Sequence, residues 1–92
     1  MIRSFRCLET KAIHEGFCSR KFRGIEQQAG KRLRWLDAAT SLSDLGAIRG
    51  NHLEALKGDR AGEHSIRIND RWRICFTWRD ANAHEVKIVD YH

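Results

Sequence analysis

The clearest periodicity in the chain lies near its end, where Trp72, Ile74, Phe76 and Trp78 alternate with Arg71, Arg73, Cys75, Thr77 and Arg79. A spacing of two predicts a half-buried strand with one apolar side and one side rich in arginine. Ile66 and Ile68 alternate in the same way with Ser65, Arg67 and Asn69, and Asn69-Asp70 supplies turn chemistry between the two runs. Asp80-Ala81-Asn82-Ala83 then turns the chain into Val86-Lys87-Ile88-Val89, a third strand leading to Asp90-Tyr91-His92. Upstream the period lengthens. From Phe22 onward Ile25, Ala29, Leu33 and Leu36 recur at steps of three or four, predicting an amphipathic helix that ends near Asp37-Ala38-Ala39-Thr40. Phe5, Leu8 and Ile13 fit a strand followed by a brief helix, capped by Thr10 and ending at Gly16. Ser41-x-x-Asp44 opens one further turn, seated by Leu42, Leu45 and Ile48, before Gly50-Asn51. The elements give one α+β domain over 1–92, an antiparallel meander with helices on one face.

Composition narrows the class. A chain of 92 residues, 41% hydrophobic and 32% charged, is expected to form a single core rather than remain disordered. Its longest apolar runs are only a few residues and Arg3 and Arg6 interrupt the start, so neither a signal peptide nor a membrane span is expected, and the location is cytoplasmic. Cys7, Cys18 and Cys75 cannot all pair and show no Cys-x-x-Cys spacing, which suits reduced thiols. The histidines, His14, His52, His64, His84 and His92, form no His-x-x-x-His or His-x-His pair. No metal and no cofactor are therefore expected.

The net charge of +5 is unevenly placed. Residues 1–50 carry 10 Lys/Arg against 5 Asp/Glu, whereas residues 51–92 carry 7 against 7. Arg23, Lys31, Arg32 and Arg34 make a basic stripe on the long helix, preceded by Arg20 and Lys21. The excess charge thus lies away from the strands.

If the tryptophan side packs under the helices, Arg67, Arg71, Arg73 and Arg79 face solvent. They either solubilise an open sheet, paired with Asp70, Glu63 and Glu85, or bind phosphate through their planar guanidinium forks. The link Leu56-Lys57-Gly58-Asp59-Arg60-Ala61-Gly62 is either a polar turn or a pair of cations aimed at that face; it is not a Walker-type loop, because its lysine precedes the glycine. His92 is either a frayed end or a proton-transfer group whose pKa is held above about 6.5 by Asp90 and a terminal carboxylate. Tyr91 either stacks on a base or covers the sheet edge. Cations, a tyrosine and a histidine suit RNA cleavage without metal, since RNA supplies its own nucleophile.

The chain resembles the HigB plasmid-maintenance killer toxins, a branch of the RelE-like toxins of bacterial type II toxin–antitoxin modules. The likeness covers its full length and rests on Met1-Ile2-Arg3-Ser4-Phe5, Leu36-Asp37-Ala38-Ala39-Thr40, the link 53–62, the hairpin 65–73 and Ile88-Val89-Asp90-Tyr91-His92. The resemblance implies the RelE-like fold, with an N-terminal strand and two to three helices on one face of a twisted antiparallel sheet. It also implies a ribosome-dependent mRNA endoribonuclease acting at the small subunit, held inactive by a HigA-like helix-turn-helix antitoxin. Residue by residue, it makes Lys57 and Arg73 cations at the scissile phosphate, His92 a general acid or base with Asp90 and Tyr91 as companions, and Arg60 and Arg67 RNA contacts. Arg71 and the helix cations Arg23, Lys31, Arg32 and Arg34 complete the expected RNA-binding set. Some HigB toxins have Leu-His-Pro-Leu-Lys-Gly where this chain has Leu53-Glu54-Ala55-Leu56-Lys57-Gly58. Either Glu54 replaces that histidine as a base or it is structural. The alternative function is a catalytically weak relative that mainly partners its repressor.

Overall fold

A computed structural model describes residues 1–90, so Tyr91 and His92 lie outside the described residues. Three helices, α1 (Leu8–His14), α2 (Glu26–Ala38) and α3 (Leu42–Gly46), precede four strands, β1 (Glu54–Ala55), β2 (Glu63–Arg67), β3 (Trp72–Arg79) and β4 (Asn82–Asp90). The strands form one antiparallel sheet in the order β1-β2-β3-β4. The N-terminal segment adds to the β4 edge, with Ile2 and Phe5 bridging in parallel to Ala83 and Val86. The expected α+β architecture is therefore present, and its N-terminal strand is a pair of parallel bridges rather than an antiparallel partner.

The core forms where the helix stripe meets the apolar side of the sheet. Ala29, Leu33 and Leu36 of α2 are buried with Ile66, Ile74, Phe76, Val86 and Ile88 of the strands. Trp72 and Trp78 pack against this cluster, and Trp72 meets the ring of Phe22 edge-on. The tryptophan side thus faces the helices as the alternation predicts.

Two helix starts differ from expectation. Phe22 is buried and in register with the stripe, yet α2 begins only at Glu26 because Gly24 adopts φ +93°, which ends any helical run through it. Thr10 is not a cap: α1 starts at Leu8, and the buried Thr10 hydroxyl accepts the Ile88 N–H at 3.0 Å, locking β4 to the helix. At α3 the predicted capping box forms between Ser41 and Asp44. Hydrogen bonds from Thr40 and Ser41 lower the pKa of the Asp44 carboxyl.

The turn between β3 and β4 consists of Asp80 (φ 53°) and Ala81 (φ 61°), the left-handed pair that a two-residue hairpin demands. Alanine is costly there because its Cβ crowds the carbonyl. Ala81→Gly is expected to stabilise the protein by about 1 kcal/mol, raising the thermal midpoint by about 4–8 °C. Calorimetry checks it, and an unchanged or lower midpoint would count against the strain.

A candidate RNA-binding face on the sheet

The sheet has a second face, and the register fixes who stands on it. Glu54 pairs with Ser65, Ser65 with Cys75 and Cys75 with Lys87, so these four form one row across all four strands. In the adjacent row Arg67 pairs with Arg73 and Arg73 with Val89. Glu54, Arg67 and Arg73, singled out separately in the sequence, are thus brought to one surface.

That surface is not the open one expected. Arg73 is only 7% exposed and Ser65 and Cys75 are fully buried: the turn Arg49–Asn51 packs against β2, the His52 carbonyl reaches Arg73, and Arg60 lies against Cys75. Arg73 Nε donates to the Ser65 hydroxyl at 2.8 Å, and Nη2 donates to the carbonyls of His52 and Ser65. The His52 carbonyl reaches it because His52 is left-handed, with φ 43°. The solvent-facing reading of Arg73 is corrected accordingly: its Nε and Nη2 donors are taken up by the Ser65 hydroxyl and by two backbone carbonyls, which compensates the burial of the guanidinium.

The other arginines divide by partner. Arg60 ion-pairs with Glu63 at 3.4 Å and lies against the Cys75 thiol. Its bond to Glu63 raises the Arg60 pKa, whereas burial, only partly offset by Arg60, raises that of Cys75. Of the two cations in the link, then, Arg60 is aimed at the face, while Lys57 is exposed at the start of the turn Gly58–Arg60. Arg67 is half-buried and pairs with Asp70. Arg71 lies in the turn before β3, stacks over Trp72 and donates to Asp90 at 2.8 and 3.0 Å, which raises its pKa. Asp90 is thereby placed at the end of β4 opposite Trp72. Arg79 is exposed beside His84.

The basic stripe is also split. Arg23, Lys31 and Arg34 are exposed, and Lys31 and Arg34 line a groove of about 560 Å³ between α1 and α2. Arg32 turns away from them and donates to Asn51 at 2.7 Å, while Asn51, fully buried, donates to the Leu45 carbonyl. Burial, together with the charge of Arg67, lowers the Arg32 pKa. Arg32 belongs to the scaffold that holds the connection, because its neighbour Asn51 offers a dry acceptor.

Ser65, Lys87, Asn51 and the His52 carbonyl were missed by sequence reasoning. For Ser65 and Lys87 a signal existed, since the alternation already placed Ser65 with Arg67 and Lys87 opposite the apolar residues of β4. For Asn51 and His52 there was none, because their partners are distant in sequence. Among the described residues no three His, Cys, Asp or Glu side chains stand together as metal ligands, and no helix is long and apolar enough to cross a membrane.

The fold and this face define an α+β protein with helices on one side of an antiparallel sheet and arginines on the other. The YoeB–YefM complex from Staphylococcus aureus superposes with a TM-score of 0.59 at 21% identity, over 100% of this chain and 98% of that one. The YoeB dimer from the same organism gives 0.51 at 23% identity, over 99% and 97%. These likenesses concern the fold. Residues 9–92 match the family described as RelE-like toxin of type II toxin-antitoxin system HigB. Endoribonuclease HigB of Proteus vulgaris is 33% identical over 93 aligned positions spanning 100% of both chains. Toxin HigB-1 of Vibrio cholerae serotype O1 is 42% identical over 59 residues, 64% of this chain and 62% of that protein. The chain belongs to the HigB-like toxin family.

Proposed function

We propose that this toxin is a ribosome-dependent endoribonuclease that cuts translated mRNA in the cytoplasm and is silenced by a HigA-like helix-turn-helix antitoxin. The observation that carries the reading is the Arg73 guanidinium, immobilised on the sheet face beside Arg67 and next to the row that begins at Glu54. The name of the Proteus relative points the same way.

In this mechanism a base removes the proton of a ribose 2′-hydroxyl, whose oxygen attacks the adjacent phosphorus. The P–O5′ bond breaks, an acid protonates the leaving 5′-oxygen, and a 2′,3′-cyclic phosphate remains. Arg73 and Lys57 neutralise the charge that builds on the phosphoryl oxygens, Arg60, Arg67 and Arg71 hold the message, and no step needs a metal. Glu54 and His92 are assigned proton transfer, with Asp90 and Tyr91 as the companions of His92. The carboxylates of Glu63 and Asp90 are engaged by Arg60 and Arg71, which favours a site completed by alignment on the ribosome. The exposed cations Arg23, Lys31 and Arg34 suit ribosomal RNA of the small subunit.

Expressed alone, the chain is expected to stop growth, and co-expression of the antitoxin to restore it. Purified, it cuts mRNA on translating ribosomes and leaves the same mRNA intact in buffer. Equal cleavage of naked mRNA would overturn ribosome dependence. Neither growth arrest nor cleavage would overturn the enzyme reading and leave a binding partner of the repressor.

A further inference from the structure

Arg73 is held from two directions. We infer that Ser65 and the His52 carbonyl are a positioning clamp for the Arg73 guanidinium, with Ser65 the positioning residue whose side chain sets the angle at which the fork meets the scissile phosphate. The inference rests on the reading of Arg73 as the phosphate-binding cation.

The geometry requires several costly choices that packing alone does not explain. Ser65 is a fully buried polar residue in the middle of the sheet, where an apolar residue would be cheaper to bury unless its hydroxyl had a fixed partner. That partner is Arg73 Nε at 2.8 Å, reached diagonally, since Ser65 pairs in register with Cys75 and not with Arg73. The Ser65 carbonyl accepts from Nη2 at 3.3 Å, so one residue touches both nitrogens on one edge of the fork. From the other side comes His52, a non-glycine residue held at φ 43° and ψ 56°, whose carbonyl accepts from the same Nη2. His52 in turn follows Asn51, fixed by Arg32 and by Leu45.

A guanidinium is planar and its Nε, Nη1 and Nη2 lie in that plane. Fixing Nε and Nη2 therefore fixes the plane of the whole group. A cation on a flexible stem would have to be ordered in each turnover, whereas one ordered by the fold meets developing charge without reorganisation. Ser65→Ala keeps the charge and frees the angle.

The test is single-turnover cleavage at saturating programmed ribosomes, together with the ¹⁵N spectrum of the arginine Nε–H groups in the free toxin. In the wild type the Arg73 Nε proton is expected to exchange with solvent far more slowly than that of exposed Arg34. Ser65→Ala is expected to lose that protection and to lower the cleavage rate by about 10- to 100-fold, the cost of a misplaced group, with ribosome affinity unchanged. Ser65→Thr, which restores a hydroxyl, is expected to recover most of both. The clamp is overturned if the wild-type Arg73 proton exchanges as fast as that of Arg34, if Ser65→Ala cleaves within twofold of wild type, or if its loss lies in affinity rather than rate. Arg73→Ala separates the two readings: a fully active Arg73→Ala protein defeats the role of Arg73 itself, while an inactive one beside an active Ser65→Ala defeats only the clamp.

Discussion

Arg73→Ala lowers the cleavage rate on programmed ribosomes by about 10²- to 10³-fold, the usual cost of removing one preorganised donor to transition-state charge. The same change removes the partner of a buried hydroxyl and of two carbonyls, so it also destabilises the fold, by about 1–3 kcal/mol for groups left unsatisfied. Arg73→Lys distinguishes the two effects. It retains a positive charge but offers a point ammonium in place of a fork, and it cannot reach Ser65 and His52 with the same geometry. Its rate should fall between those of wild type and Arg73→Ala. Single-turnover rates measured below the melting transition, with thermal melts of each variant, give the answer. Wild-type cleavage by Arg73→Ala would remove the centre of the proposed site.

Reversing Lys31 and Arg34 together to glutamate weakens ribosome association by about 10- to 100-fold near ~0.1 M salt and flattens the salt dependence by about two contacts. Both side chains are exposed on α2, so the change acts on the surface proposed for docking and not on the core. Arg32→Glu has a different signature. It strands buried Asn51 and leaves a carboxylate where a guanidinium was packed, so it lowers the melting temperature first. Affinity measured at several salt concentrations tests the pair. A Lys31→Glu/Arg34→Glu double variant with wild-type affinity would move ribosome contact away from the helix.

The strands were legible because alternation is a local property: Trp72 to Trp78 and Ile66 to Ile68 declare the apolar side whatever lies above it. What alternation does not say is whether the opposite side is open. Arg71, Arg73 and Arg79 occupy equivalent places in the pattern, yet Arg71 and Arg79 are exposed and Arg73 is buried. The difference is made by His52, 21 residues away, whose carbonyl arrives only when the connection folds over β2. Thr10 shows the same limit. Its type and position fitted a cap, but its partner is the Ile88 N–H, 78 residues distant. Glycine chemistry was similarly hidden at Gly24, where the apolar spacing continued through a residue whose φ does not permit a helix. The candidate site was legible as a list of cations and carboxylates. Its division into buried, ion-paired and exposed members was not, because each arginine type is identical in sequence until its partner is known.

Arg32 is bonded to Asn51, and the next residue along the chain holds Arg73. In mechanical terms, α2 and the connection form a bracket whose outer flange carries Lys31 and Arg34 and whose inner lip holds a guanidinium. Flange and lip are joined through two hydrogen bonds and one peptide link. The basic helix and the arginine of the sheet face, unrelated in the sequence pattern, are thereby one hydrogen-bonded unit.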